Sequence, residues 1–226
     1  MAKSGTSSRL VTEGVGRSAA TRQVLVAAAI EALKAEGFAG ASARAIAGRP
    51  GCNQAMVFYH FGSVVGLLLA ALDSVSATRL EHYSAAVEHV RSSVELVDVA
   101  TAIFREDLQA GYVTVLAEMI AGASSTPGLG AEVATRISAW KQFAVQAIDS
   151  VPGDSALGQV IPSGDLAHGF VALYLGLELL SHLDGDTVPA LSLFDHAKPL
   201  TALAEASGVG RLIGATALTP KVAPSP

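Results

Sequence analysis

Apolar residues along this 226-residue chain recur at helical rather than strand spacing. Leu25, Ala28, Ala29, Ala32 and Leu33 fall at i, i+3, i+4, i+7 and i+8, which predicts an amphipathic helix from Arg22 to Glu36. Gly37 followed by apolar Phe38 predicts a left-handed stop, with Phe38 folding back onto the helix. Ser42 is placed to cap a short helix with Ile46 facing inward, and Pro50-Gly51 forces a bend. Asn53 then caps a second short helix in which Val57 and Phe61 suit burial while Gln54 and Ala55 face out. Longer apolar helices are predicted from Ser63 to about Arg91, Val94 to Ala110 and Tyr112 to Ala121. A further helix starts at Thr126-Pro127 and runs to about Val151. A loop bracketed by Pro152-Gly153 and Pro162-Ser163-Gly164 leads to two last helices, Asp165 to Leu183 and Pro189 to Ala206, separated by Asp184-Gly185-Asp186. No alternating run is long enough for a sheet and no repeat is present, so the predicted class is all-α.

A cap, a compact turn and a second cap within Ser42 to Phe61 match a helix-turn-helix, the unit that lays its second helix in a DNA major groove. The predicted organisation is a flexible basic arm over 1–18, a three-helix head over 19–66, a larger helical body over 67–207 and a flexible tail over 208–226. Charge follows the same division. Residues 1–63 carry seven Lys or Arg against three acids, a net of +4, whereas the remaining 163 carry eight against seventeen, a net of −9. The overall −5 therefore conceals a basic head on an acidic body, as suits a chain whose head meets phosphate.

Over residues 21–72 the chain resembles the TetR (tetracycline repressor) family. The elements that carry the resemblance are Thr21-Arg22, Val24-Leu25, Ala27-Ala28, Gly37-Phe38, Ser42, Ile46-Ala47, Gly51-Cys52 and Phe58-Tyr59-His60-Phe61, all in the family's order and spacing. Two positions depart from it. Phe58 stands where tyrosine is usual and Val64 where lysine is usual, and each change removes a phosphate contact.

The chemistry of the head residues suggests their roles. Arg44 has the planar fork to grip guanine or phosphate, and Gln54 can pair an adenine edge bidentately. The resemblance implies that Ser42, Tyr59 and His60 serve the DNA contact, that Asn53 and Ala55 line the groove, and that Phe58 packs nearby. The plainer readings stay open: Arg44 as a solvated charge, His60 as a packed core histidine and Cys52 as a small buried residue.

In the body, Phe170, Leu173, Tyr174, Leu177 and Leu180 make the helix after Asp165 apolar over much of its circumference, more than one core requires. Gly169 and Gly176 allow close approach. The resemblance, in which two carboxy-terminal helices pair with those of a second copy, turns this into an expected homodimer that addresses a palindromic double-stranded operator. It also implies a small-molecule effector, unidentified but expected to be apolar, near Phe104, Leu108, Tyr112, Met119, Trp140 and Phe143. The same stripe has the spacing of ordinary core.

Half of the residues are hydrophobic and the mean hydropathy is positive, yet no stretch is expected to cross a membrane. One cysteine excludes an internal disulfide, and no leader-like apolar segment opens the sequence, so the expected compartment is the cytoplasm. No catalytic group, metal or cofactor is expected. Two alternatives remain: a dimeric helical interaction module without DNA binding, and a helical metalloenzyme built from Glu178, His182, Asp184, Asp186, Asp195 and His196. The second lacks a paired Glu-x-x-His motif.

Overall fold

The computed structural model describes residues 5–151 and 161–207, within which the chain forms nine helices and no strand. They are α1 (Gly5–Gly40), α2 (Ala43–Gly48), α3 (Ala55–Phe61), α4 (Val64–Val87), α5 (Ser93–Ala110), α6 (Tyr112–Ala123), α7 (Leu129–Ser150), α8 (Ser163–Asp184) and α9 (Val188–Ser207). The all-α class is as the periodicity predicts. Most of the expected arm lies within α1, which begins at Gly5, while the expected tail, 208–226, and the Pro152-Gly153 edge of the loop lie outside the described residues. The helix expected from Thr126-Pro127 starts slightly later, at Leu129, because Gly128 takes a left-handed turn at φ 82°.

Two compact units divide the chain: Met1–Arg79 with Gly111–Ile137, and Leu80–Ala110 with Ser138–Pro226. The first thus extends beyond the 19–66 head. Its core takes all five stripe residues of α1, with Ile46 and Ala47 of α2, Val57 of α3, Leu67 and Leu68 of α4, and Val115 and Met119 of α6. Apolar burial of this kind stabilises by about 25 cal/mol per Å², and it recruits α6 and the start of α7 to the head. Gly37, at φ 71°, kinks α1 as expected. The Phe38 N–H then donates to Glu118 Oε2 of α6 at 2.8 Å, and the Phe38 ring lies so close to Gly122 that a β-carbon there would collide with it. Arg136 of α7 clasps Asp73 of α4 through two parallel bonds of 2.6 and 3.1 Å, the bidentate geometry that suits a guanidinium.

The second unit is built on α5, with Phe104 fully buried against Tyr174 of α8 and Phe194 of α9 at centroid distances of 5.4 and 5.2 Å. Beside this aromatic core lies a buried carboxylate, Asp107, which accepts hydrogen bonds from the hydroxyls of Tyr83 at 2.5 Å and Tyr174 at 2.7 Å. Two donors of this sort answer the desolvation cost of burying an acid. The inner face of α8 carries Ala167, Tyr174, Glu178 and Ser181, while Phe170, Leu173, Leu180 and Leu183 face outward. By length and composition alone α8 is long and apolar enough to cross a membrane, as core helices of soluble proteins also can be. The reason is visible in its sequence: between Asp165 and Asp184 the one charged residue is Glu178.

Candidate nucleic-acid interface

The helix-turn-helix is assembled by local capping and by three buried side chains. Ser42 Oγ accepts the Ala45 N–H at 3.2 Å, fixing the start of α2. Gly51, at φ 72°, turns the chain, and the Cys52 N–H closes the turn on the Ala47 carbonyl at 2.9 Å. Asn53 Oδ1 accepts the Ala55 N–H at 2.9 Å, so Asn53 organises the start of α3 while Gln54 occupies the cap position itself. Ile46, Ala47 and Val57 are buried in the head core and hold the two helices against it. Gly62, at φ 74°, ends α3, and Ser63 Oγ caps α4 through the Gly66 N–H.

Fixing those three residues inward turns the opposite face of the motif to solvent. Ser42, Arg44, Asn53, Gln54 and Ala55 are exposed, Phe58 is 52% exposed and Tyr59 75%. A shallow open hollow on α2 is lined by Ser42, Arg44, Ala45, Gly48 and Arg49. Seven of the eight DNA-contact residues expected from the sequence are therefore exposed.

His60 is placed differently. Its ring is half-buried, Nε2 is shielded from solvent without a hydrogen-bond partner, and Tyr59 meets it edge-on at 4.9 Å. This is the geometry of the packed histidine, with that nitrogen withdrawn from a phosphate. Two arginines without an assigned role in the sequence reading also shape the surface. The Arg22 guanidinium lies 4.4 Å over the Phe61 ring and donates to the His60 carbonyl at 3.0 Å, which ties the end of α3 to α1. Arg49 is held to Glu36 at 2.6 Å. Charge and position at the turn were the available signals, but the partners are too distant in sequence to be read.

The effector candidates are divided between the units. Met119 belongs to the head core, and Tyr112 of the same unit has the Lys34 and Arg79 cations 5.7 and 5.5 Å from its ring. Phe104 and Leu108 belong to the core of the second unit, where Trp140 lies 6.2 Å from Phe143 and 6.4 Å from Tyr83. Of the dimer candidates, Phe170, Leu173 and Leu180 are exposed, Leu177 packs partly against the core, and Tyr174 turns its hydroxyl inward to Asp107. The metal-site alternative finds buried Glu178 apart from exposed His182, and no group of three or more acids, histidines or cysteines able to hold a metal occurs among the described residues.

Residues 25–71 match the family model of bacterial regulatory proteins, tetR family. The head is a tetR-family head. With it the chain is a DNA-binding transcriptional regulator, and the helix-turn-helix described above is its reading unit. No curated protein gives a significant match. Among solved structures, a TetR-family transcriptional regulator from Cytophaga hutchinsonii is 16% identical with a TM-score of 0.64, over 82% of this chain and 95% of that one. A TetR transcriptional regulator from Legionella pneumophila is 18% identical with a TM-score of 0.62, over 78% and 96%. A Saccharomonospora viridis protein solved in complex with choline is 18% identical with a TM-score of 0.60, over 80% and 94%. At these identities the three establish a shared fold.

Proposed function

We propose that the chain acts in the cytoplasm as a homodimeric, non-enzymatic repressor that binds a palindromic operator and is released by a small, largely apolar molecule held in the body. The observation that carries the reading is the outer stripe of α8: Tyr174, Glu178 and Ser181 turn inward, and Phe170, Leu173, Leu180 and Leu183 are left in water. A second copy laid against this stripe would bury it and bring two heads to two half-sites. Gly169 and Gly176 lie on the same stripe with open space where a side chain would stand, which suits close helix approach.

The effector reading is supported by the aromatic group of Tyr83, Trp140 and Phe143 in the second unit, and by the small molecule bound in the Saccharomonospora viridis relative. A ligand that favours the form unable to bind DNA weakens operator binding, and operator weakens ligand binding by the same factor, typically about five- to 150-fold. Trp140, the one tryptophan in the chain, gives the readout. A thermal-shift and Trp140-quenching screen is followed by operator titration with each hit, and reciprocal weakening is expected. Hits that bind the body and leave operator affinity unchanged would remove release by ligand.

Selection of bound sequences from random DNA by the purified protein tests the operator. A recovered palindrome supports two half-sites addressed by a dimer; an enriched site without twofold symmetry would remove the palindromic operator.

A further inference from the structure

The reading helix of this regulator is chemically unusual in what it offers to a groove. Gln54, Ala55, Phe58 and Tyr59 are exposed on two adjacent rows, Gln54 with Phe58 and Ala55 with Tyr59, each pair four residues apart. Opposite them Val57 is fully buried, so the face presented is fixed by the core rather than by side-chain choice. No cation lies on it: from Pro50 to Thr78 the chain has no lysine or arginine. On the preceding helix Arg49 is engaged by Glu36, and exposed Arg44 is the other guanidinium of the helix-turn-helix.

Each base edge in the major groove asks for a particular partner. Guanine offers two acceptors and is read by arginine or lysine, adenine offers an acceptor and a donor that an amide matches, and thymine offers a methyl group that alanine or phenylalanine covers. An amide and apolar surface without a cation fit the second and third of these.

Resting on the proposed operator-binding function, we infer that α3 reads A·T base pairs, with the Gln54 amide on an adenine edge and Ala55 and Phe58 against thymine methyl groups. Phe58 is then a specificity residue. The missing tyrosine hydroxyl trades a phosphate contact for an apolar surface aimed at a base. Guanine, where the half-site contains one, falls to Arg44 on α2 at its flank.

The test begins with operators selected from random DNA by the full-length protein, followed by replacement of single thymines with uracil, which removes only the methyl group. Half-sites centred on A·T pairs are expected, with at least one thymine per half-site whose replacement weakens binding about three- to fivefold, the effect of one buried methyl group. Replacing the adenine paired by Gln54 with 7-deazaadenine, which lacks the N7 acceptor, should weaken binding about tenfold. Phe58→Ala should no longer distinguish thymine from uracil at the base that Phe58 covers, while a thymine covered by Ala55 keeps its effect, and Gln54→Ala should be indifferent to the deaza substitution. Both side chains are exposed, and because the altered bases act on the unmodified protein the answer does not depend on how either variant folds. Half-sites centred on G·C, or affinity unmoved by loss of every methyl group, would overturn the inference while leaving operator binding intact. Failure to select any sequence would overturn it together with the function on which it rests.

Discussion

The two units of this chain differ in how much apolar surface they leave in water. In the first, Leu25, Leu33, Ile46, Leu67 and Met119 are buried, and few large apolar side chains, Val24, Phe58 and Ile120 among them, stand exposed. In the second, α8 turns Tyr174, Glu178 and Ser181 inward and leaves a leucine stripe outside, Leu180 at 61% and Leu183 at 79% exposure. α9 continues the pattern with Leu193, Leu200 and Leu203 exposed. Large contiguous apolar surfaces on soluble chains mark places where something else packs. The contrast is that the first unit buries its apolar stripes within itself, whereas the second leaves one uncovered, the surface that the proposed homodimer would bury.

The sharpest way to break this contrast is a charge on the stripe. Leu180→Arg should leave the single chain folded, because the side chain already stands in water, yet dissociate the homodimer at a cost of about 3–5 kcal/mol for an unpaired charge at an apolar interface. Sedimentation equilibrium reads the outcome; an unchanged dimer would move the interface away from α8. In the first unit the sensitive positions are inside. Leu33→Ala should lower stability by about 2–5 kcal/mol in urea unfolding, since it leaves a cavity in a closed core. Tyr174→Phe has the smallest expected effect, about 1–3 kcal/mol, because it takes one donor from buried Asp107. It should reduce stability without changing the dimer constant, and a weakened dimer at unchanged stability would return Tyr174 to the outer face.

Tyr174 also marks the limit of what was legible in the sequence. The stripe of α1, the left-handed stop at Gly37 and the capped turn of the helix-turn-helix depend on residues within one or two turns of each other, and all stand where the pattern puts them. Along α8, however, apolar residues occupy more than one stripe, and periodicity alone does not choose the inner one. The choice is made by a carboxylate 67 residues away, Asp107, which the chain brings to the Tyr174 hydroxyl. His60 follows the same rule. Its motif position points to phosphate, whereas packing withdraws its Nε2. The effector candidates looked contiguous because α5, α6 and α7 follow one another in sequence, but the chain changes units at Gly111 and again at Ser138, dividing them.

The uncharged reading helix has a consequence for search in a crowded genome. Attraction to arbitrary DNA comes from cations that displace counterions from phosphate, and it grows with each one. A helix that adds none leaves that attraction to the lysines and arginines elsewhere in the head, so α3 itself contributes to the target and little to competitor DNA. Occupancy of a true site then depends on how sharply α3 discriminates, since the ratio of specific to random binding, multiplied by the number of competing sites, decides where the protein resides.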